Sequence, residues 1–275
     1  MTGDRRHGAW REIADRVFVR RYEWLDQEIG LVVGDGAALL IDTRATLRHG
    51  REVRDEARLV TDAPISVVVN THGHWDHCFG NAVFRGAAFW AQSGVVRFIA
   101  DTAEAARARL TIEMPELAAD FREVALVVPS HLVEERTSLD VGGRRVELAF
   151  HGRGHTDHDL VLTVSDAAVT FAGDLVEEGN APYFGDGYPL EWPETLDLLL
   201  AAAPDGRIVP GHGDVVDRAF VERQRGEIAA MIAAAVRVQA EALPVDEIIG
   251  DVPFPEPAAR DAIARTLAQL RGELD

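Results

Sequence analysis

Ile65-Ser-Val-Val-Val-Asn-Thr-His-Gly-His-Trp-Asp-His77 decides how this chain is read. The first five residues are a short β-branched run, expected as a strand buried on both faces. It stops abruptly in a turn that carries His72, His74, Asp76 and His77. In an extended segment, His-x-His places two imidazoles on one side, where both reach one ion. Neutral imidazoles and carboxylates are ligands that zinc prefers.

Further along, three more sites sit beside expected strands. They are His155 in Gly152-Arg-Gly-His-Thr156, Asp174 in Ala172-Gly-Asp-Leu175, and His212 in Pro210-Gly-His-Gly213. Glycines flank His74, His155, Asp174 and His212 and permit the tight backbone that gathers loops around a metal. His155 can supply a third nitrogen to the His72–His74 pair. Asp76 and His77 point elsewhere and can hold a second ion with His212, while Asp174 has two oxygens and can bridge.

The surrounding pattern is layered. Val17–Tyr22, Ile29–Val33 and Ala37–Ile41 read as strands, the last two flanking a Gly34-Asp35-Gly36 hairpin turn. Thr46–Val60 reads as a surface helix. Beyond the histidine turn, strands are expected near Ala88–Ala91, Leu126–Val128, Arg145–Phe150, Leu160–Val164, Ala168–Phe171 and Arg207–Val209. Helices are expected over Ser93–Arg109, Pro115–Phe121, Glu191–Ala202 and Asp217–Ala242. After Val252-Pro-Phe-Pro-Glu-Pro257 a last helix carries Ile263, Leu267, Leu270 and Leu274 on one stripe, expected to pack on the body. Strand-rich stretches alternating with helices predict a layered α/β architecture with mixed sheets. The 275 residues are read as one domain over 1–275, with a core about 17–216 and a helical segment about 217–275 packed on it.

Composition narrows the chemistry. With 28 basic and 46 acidic residues the formal charge is −18, a field that repels phosphate backbones and anionic lipid, so neither nucleic acid nor a membrane is an expected partner. All basic residues are arginines, which excludes a P-loop lysine, a Schiff-base lysine and a Ser–Lys dyad. The single cysteine, Cys78, rules out an internal disulfide and is read as a small packed residue rather than a nucleophile. No Gly-x-Ser-x-Gly elbow is present. A charged N-terminal stretch and no long apolar run lead to the expectation of a cytoplasmic protein acting on a small molecule, with the oligomeric state open.

Asn70–His77, Gly154-His-Thr156, Gly173-Asp174 and Gly211-His-Gly213 resemble the metal motifs of the metallo-β-lactamase superfamily, over about Val17 to Val216. The resemblance implies an αβ/βα four-layer sandwich: two mixed β-sheets face to face, helices on both outer faces, and the metals at one sheet edge. It implies that His72, His74 and His155 hold one ion and that Asp76, His77 and His212 hold a second. Asp174 would bridge two Zn(2+), with Fe or Mn as possible occupants. The implied reaction is hydrolysis of a small ester, thioester, lactone or lactam by a hydroxide shared between the ions, with Asp76 orienting the water or taking its proton. A mononuclear iron oxidoreductase of persulfide-dioxygenase type and a catalytically idle metal-binding interaction protein are the alternatives.

The loop 177–189 is rich in glycine, proline and aromatics and is expected to cover the metals, with Tyr183 and Phe184 as pocket wall. Trp75, Trp24 and His158 are further candidates for the pocket, and Arg153 for a surface position or a substrate carboxylate. His7, His49, His131 and His151 are read as non-functional.

Overall fold

The computed structural model describes residues 9–274, so His7 lies outside the described residues. In the first half, β1 (Arg11–Ala14), β2 (Val17–Tyr22), β3 (Gln27–Val33) and β4 (Ala38–Ile41) pair antiparallel in succession. The β3–β4 turn closes with Gly34 N–H donating to Ala37 O at 2.9 Å, and Gly36 takes the positive φ of 70° that the hairpin needs. Then β5 (Ile65–Val69), β6 (Ala88–Gln92) and β7 (His131–Val133) add in parallel. In the second half, β8 (Arg136–Val141), β9 (Arg144–Phe150), β10 (Leu160–Val164) and β11 (Val169–Glu177) run antiparallel, and β12 (Arg207–His212) closes parallel to β11. The halves meet at one rung, Gln27 opposite His212.

Period-two burial builds the interior. Val17, Val19, Leu39, Ile41 and Val69 face Leu148, Leu160, Leu162, Phe171 and Val209 in one apolar layer between the sheets. The opposite face of the first sheet, with Ile29, Leu31, Leu40 and Val68, is covered by α1 (Leu47–Ala57) through Val53 and Ala57. Thr46 caps α1, its Oγ1 accepting from His49 N–H at 3.2 Å. Next to it, α2 (Trp75–Cys78), α3 (Gly94–Phe98), α4 (Glu104–Glu113) and α5 (Ala118–Glu123) share a smaller core around Phe79, Phe121 and Leu110. The outer face of the second sheet carries α6 (Trp192–Ala202), α7 (Arg218–Glu241), α8 (Val245–Ile248) and α9 (Glu256–Leu270). Trp192 is fully buried there, and its Nε1–H finds Leu175 O at 3.1 Å, so its polar edge is satisfied. Ile263 of the last helix is buried in this layer, with Leu267 packed against it. These layers form the expected αβ/βα sandwich. No helix among the described residues is long and apolar enough to cross a membrane.

Three local expectations change. Leu126–Val128 is not a strand; the strand that pairs with β6 is His131–Val133 instead. Ile65–Val69 is buried only at Val68 and Val69, while Ser66 is exposed. The Ala168–Phe171 strand continues to Glu177, so Asp174 lies within β11 rather than after it.

The middle of the first sheet holds a buried acid. Among the described residues both carboxylate oxygens of Glu28 lack a hydrogen-bond partner, and Arg11 lies 3.9 Å away. Burial pushes this carboxyl up to about 8. A folded-state value above the unfolded one contributes stability that is complete below the unfolded value and is lost as pH rises through about 8. Thermal melts of wild type should therefore fall between pH 6 and 9 more steeply than those of Glu28→Gln, and the variant should melt several degrees higher at pH 9. Parallel pH profiles of the two proteins would overturn this.

Candidate metal centre

The histidine turn is held from below before any ligand is considered. Asp42 sits just past β4 with a positive φ of 64°. Its carboxylate accepts from Thr71 N–H at 2.9 Å, Thr71 Oγ1–H at 2.8 Å and the His77 ring at 2.8 Å. Gln27 Nε2 donates to Asp76 O at 2.6 Å, and Asn70 Nδ2 donates to His77 O at 3.1 Å. Cys78 is buried and its thiol donates to Gly73 O at 3.3 Å. Burial pushes that thiol up, which fits the packing role expected for it and not a nucleophile.

Two glycines make room for the carboxylate that faces both histidine groups. Gly173 has a φ of 55° and coincides with a register shift between β11 and β12. A Cβ on it would lie 2.7 Å from Thr71 Cβ, and one on Gly211 would lie 1.8 Å from Asp174 Oδ1. Only glycine at both positions lets β11 and β12 bring Asp174 against the turn.

Seven side chains from the sequence reading converge here in two groups. His72, His74, His155 and Asp174 form one, and Asp76, His77 and His212 the other, with the ligand atoms of each group within 4.8 Å of one another. In the first, His155 Nε2 lies 2.9 Å from His74 Nδ1, and Asp174 Oδ2 lies 3.7 Å from His72 Nε2 and 3.5 Å from His155 Nε2. In the second, His212 Nε2 lies 3.3 Å from both His77 Nε2 and Asp76 Oδ2. Asp174 also reaches this group, 3.3 Å from His77 Nε2 and 3.4 Å from His212 Nε2.

The opposite nitrogen of each ring fixes its tautomer. His155 Nδ1 meets Tyr183 O at 3.2 Å and His212 Nδ1 meets Leu25 O at 2.7 Å; a carbonyl only accepts, so both nitrogens carry hydrogen. His77 Nδ1 meets Asp42 and His74 Nε2 meets Asp186 Oδ2 at 2.9 Å, with the same result against carboxylates. His72 Nδ1 lies 3.1 Å from Thr71 Oγ1. The lone pairs are thereby turned inward, as ligating histidines require. Among the described residues His72 Nε2 and Asp174 Oδ1 are buried without a hydrogen-bond partner. Orphaned donors of this type, in an imidazole and carboxylate set, fit divalent cations of the zinc class.

Charge inside the cage is strongly perturbed. Burial, assisted by His77, holds the His72 imidazole well below its ordinary range. Burial opposes charge on His77 and His212 too, yet the facing Asp174 and Asp76 carboxylates raise both well above the ordinary imidazole range. Asp174 is held well below the usual carboxylate range by those same imidazoles, against its burial. Protons and cations compete for these lone pairs.

The cage opens into a cavity of about 600 Å³ lined by Trp75, Phe79, Phe98, Leu110, Met114 and Tyr183 together with several charged groups. Tyr183 is more than half exposed at its mouth, its ring 6.3 Å from His74 and 6.1 Å from His155. Trp75 lines the cavity, whereas Trp24 does not; it packs behind Trp75 and rests on His49. Phe184 does not line it. Its ring is buried against Trp192 and Phe254, because the loop turns inward there to join the outer apolar layer. His158 also stays out of the cavity. Its Nε2 accepts from Gly73 N–H at 3.1 Å and its ring packs on Phe98, so it braces the turn. Arg153 pairs with Glu191 and stacks on Tyr188. His131 stacks on Trp90, away from the cage.

Sequence reasoning did not single out Asp42, Asp186, Gln27 or Glu177. Asp42 has the same signal as the ligands, a carboxylate just past a strand, and Asp186 stands between two glycines. Glu177, at the end of β11, is buried beside the cage, where burial and then Asp174 push it up to about 8; its Oε1 accepts from Tyr183 N–H at 2.9 Å. The loop carrying Asp186 is tied to the last helix. Arg265 donates to Gly187 O at 2.7 Å and to Asp186 O at 2.8 Å, and Gln269 Oε1 accepts from Leu190 N–H at 2.9 Å.

Comparisons with known proteins agree with this geometry. Residues 22–212 match the family model described as the metallo-beta-lactamase superfamily. A metallo-beta-lactamase type 2 of Bacillus cereus is 25% identical over 197 residues, spanning 70% of this chain and 69% of the relative. Among solved structures, a metallo-beta-lactamase from Pontibacter korlensis superposes with a TM-score of 0.66 at 21% identity, covering 80% of this chain and 98% of that one. A double mutant of the sec-alkyl sulfatase PisA1 superposes with a TM-score of 0.78 at 18% identity, covering 96% of this chain and 50% of that one.

Removing an outer partner should loosen one group selectively. Asp186→Ala is expected to weaken cation binding at the His72–His74–His155 group by about 10–100-fold, and Asp42→Ala to do the same at the group containing His77. Competitive titration of zinc against a chromogenic chelator reads both. Equal losses at both groups from either variant would show a general loosening instead.

Proposed function

This chain belongs to the metallo-beta-lactamase superfamily, and from that premise we propose that it is a two-zinc hydrolase of a small ester, thioester, lactone or lactam. The observation that carries the reading is Asp174, whose carboxylate lies within 3.7 Å of donor nitrogens in both groups. A mononuclear iron dioxygenase needs only the first group. An Asp76–His77–His212 group can be retained by such an enzyme and does not separate the two readings; metal content does.

Bound there, paired zinc ions supply a water acidic enough to ionise near neutral pH and polarise the scissile carbonyl. The residues do the rest. His72, His74 and His155 would hold one ion, Asp76, His77 and His212 the other, and Asp174 both. Asp76 Oδ2, 3.5 Å from His77 Nε2 and 3.3 Å from His212 Nε2, would orient the attacking water or take its proton. The bonds from Thr71, Asp42, Asp186, Tyr183 O and Leu25 O keep the five imidazoles aimed, so no reorganisation is needed during the reaction. The apolar wall beside the cage excludes water around the bound carbonyl compound and strengthens these interactions. A lone buried thiol suits the reducing cytoplasm, and the −18 charge suits a small-molecule substrate over nucleic acid or membrane.

Protein prepared without chelator should carry about two zinc equivalents and cleave members of a chromogenic ester, thioester, lactone and lactam panel. Asp174→Ala and His212→Ala should each lower second-site occupancy and reduce kcat/KM by at least about 100-fold, beyond the loss typical of an outer partner. One tightly held iron, with oxygen consumed on a persulfide, would overturn the proposal.

A further inference from the structure

The helical wall of the cavity has a character of its own. The helix from Gly94 to Glu113 is interrupted by a π-helical turn over Ile99–Ala103, a feature often found at functional sites. From Thr102 within that turn, Ala106, Leu110 and Glu113 follow at spacings of three or four residues and line the cavity along one face. Small and apolar side chains lie along the middle of this face, and the charged ones stand at its outer end. Trp75, Phe79 and Phe98 extend the apolar surface toward the cage.

Charge is distributed against a second anion. Apart from the metal-binding histidines, Arg109 is the one cationic side chain among the described residues lining the cavity. It is 59% exposed and already lies 3.6 Å from Glu113. Glu113 and Asp186 add carboxylates to the cavity lining. An anionic group carried by the substrate away from the reacting carbonyl would meet these acids without a free cation to offset its lost hydration.

We infer that the cavity takes an uncharged apolar acyl chain laid along the 102–113 helix face, so that the substrate is an acyl ester, thioester or lactone without a distal carboxylate. This rests on the hydrolase reading above and narrows it: substrates that must anchor a remote carboxylate are excluded. A volume of about 600 Å³ suits a chain of several carbons beyond the carbonyl.

The zinc-loaded protein is tested with p-nitrophenyl acetate, butyrate and octanoate, and with the mono-p-nitrophenyl ester of suberic acid. Suberate matches octanoate in length but ends in a carboxylate. The expected kcat/KM rises about fourfold for each methylene that is buried, and falls more than tenfold from octanoate to the suberate ester. Ala106→Trp, which fills the helix face, should collapse the octanoate-to-acetate ratio by more than tenfold. Glu113→Gln, which frees Arg109, should recover part of the suberate loss. Binding of octanohydroxamate and suberic monohydroxamate, followed by calorimetry, gives a readout without turnover, and the octano compound should bind at least tenfold more tightly. Cleavage with no chain-length trend, or equal use of the octanoate and suberate esters, overturns the acyl assignment and leaves the hydrolase reading standing. Tenfold discrimination between the hydroxamates with no ester, thioester, lactone or lactam cleaved overturns the hydrolase reading and supports the acyl cavity. Equal hydroxamate affinities overturn the acyl cavity directly.

Discussion

The carboxylate of Asp174 is the constraint around which the rest is arranged. It is buried, ionised against its burial, and faces imidazoles of both groups. A buried anion is costly unless its surroundings compensate it, and here the compensation comes from four imidazoles on three separate segments. The strands obey that requirement. The register shift at Gly173 turns Asp174 inward, and Gly211 on the neighbouring strand leaves the space its oxygen occupies. A methyl group at either glycine would push the carboxylate out of reach of one group or the other.

Around this centre the backbone takes conformations that ordinary segments avoid. Leu25, Asp26 and Asp42 have positive φ without being glycine. Each costs on the order of 1–3 kcal/mol and persists only where the surroundings over-determine it. Asp42 serves Thr71 and His77 from that conformation. Leu25 offers its carbonyl to His212, and Asp26 O accepts from Gly213 N–H at 2.8 Å. Arg21 holds this strained turn by gripping Asp26, with one bond of 2.6 Å, and Asp214 at 2.7 Å. Strain next to the cage is therefore coupled to the aim of the ligands.

The histidines and aspartates that converge were legible in the sequence because they fall in short motifs, and glycine flanks His74, His155, Asp174 and His212. The layer order was legible because hydrophobic period and turn residues agree along most of the chain. Leu126–Val128 misled because a β-branched apolar run reads as a strand whether or not a partner lies beside it; the partner of β6 is the less apolar His131–Val133. Phe184 misled for a related reason. An aromatic in a glycine-rich loop can face a cavity or dive into the layer below, and only the position of Trp192 and Phe254 decides which. The supporting acids carry a local signal but their partners were not legible, since Asp42 and Asp186 act from 35 and 112 residues away in the chain, measured to His77 and His74. Local pattern carries no information at that range.

The single rung between Gln27 and His212 has a bearing on assembly. His72, His74, Asp76 and His77 come from the half that folds around β5, whereas His155, Asp174 and His212 come from the other. Neither half holds a complete set, so cations bound by all seven would act as rivets across the seam, gripping only a chain whose two sheets have already docked. Their affinity then adds to the cohesion of the sandwich itself, and stripping them would loosen the junction of the sheets before it disturbed the interior of either one.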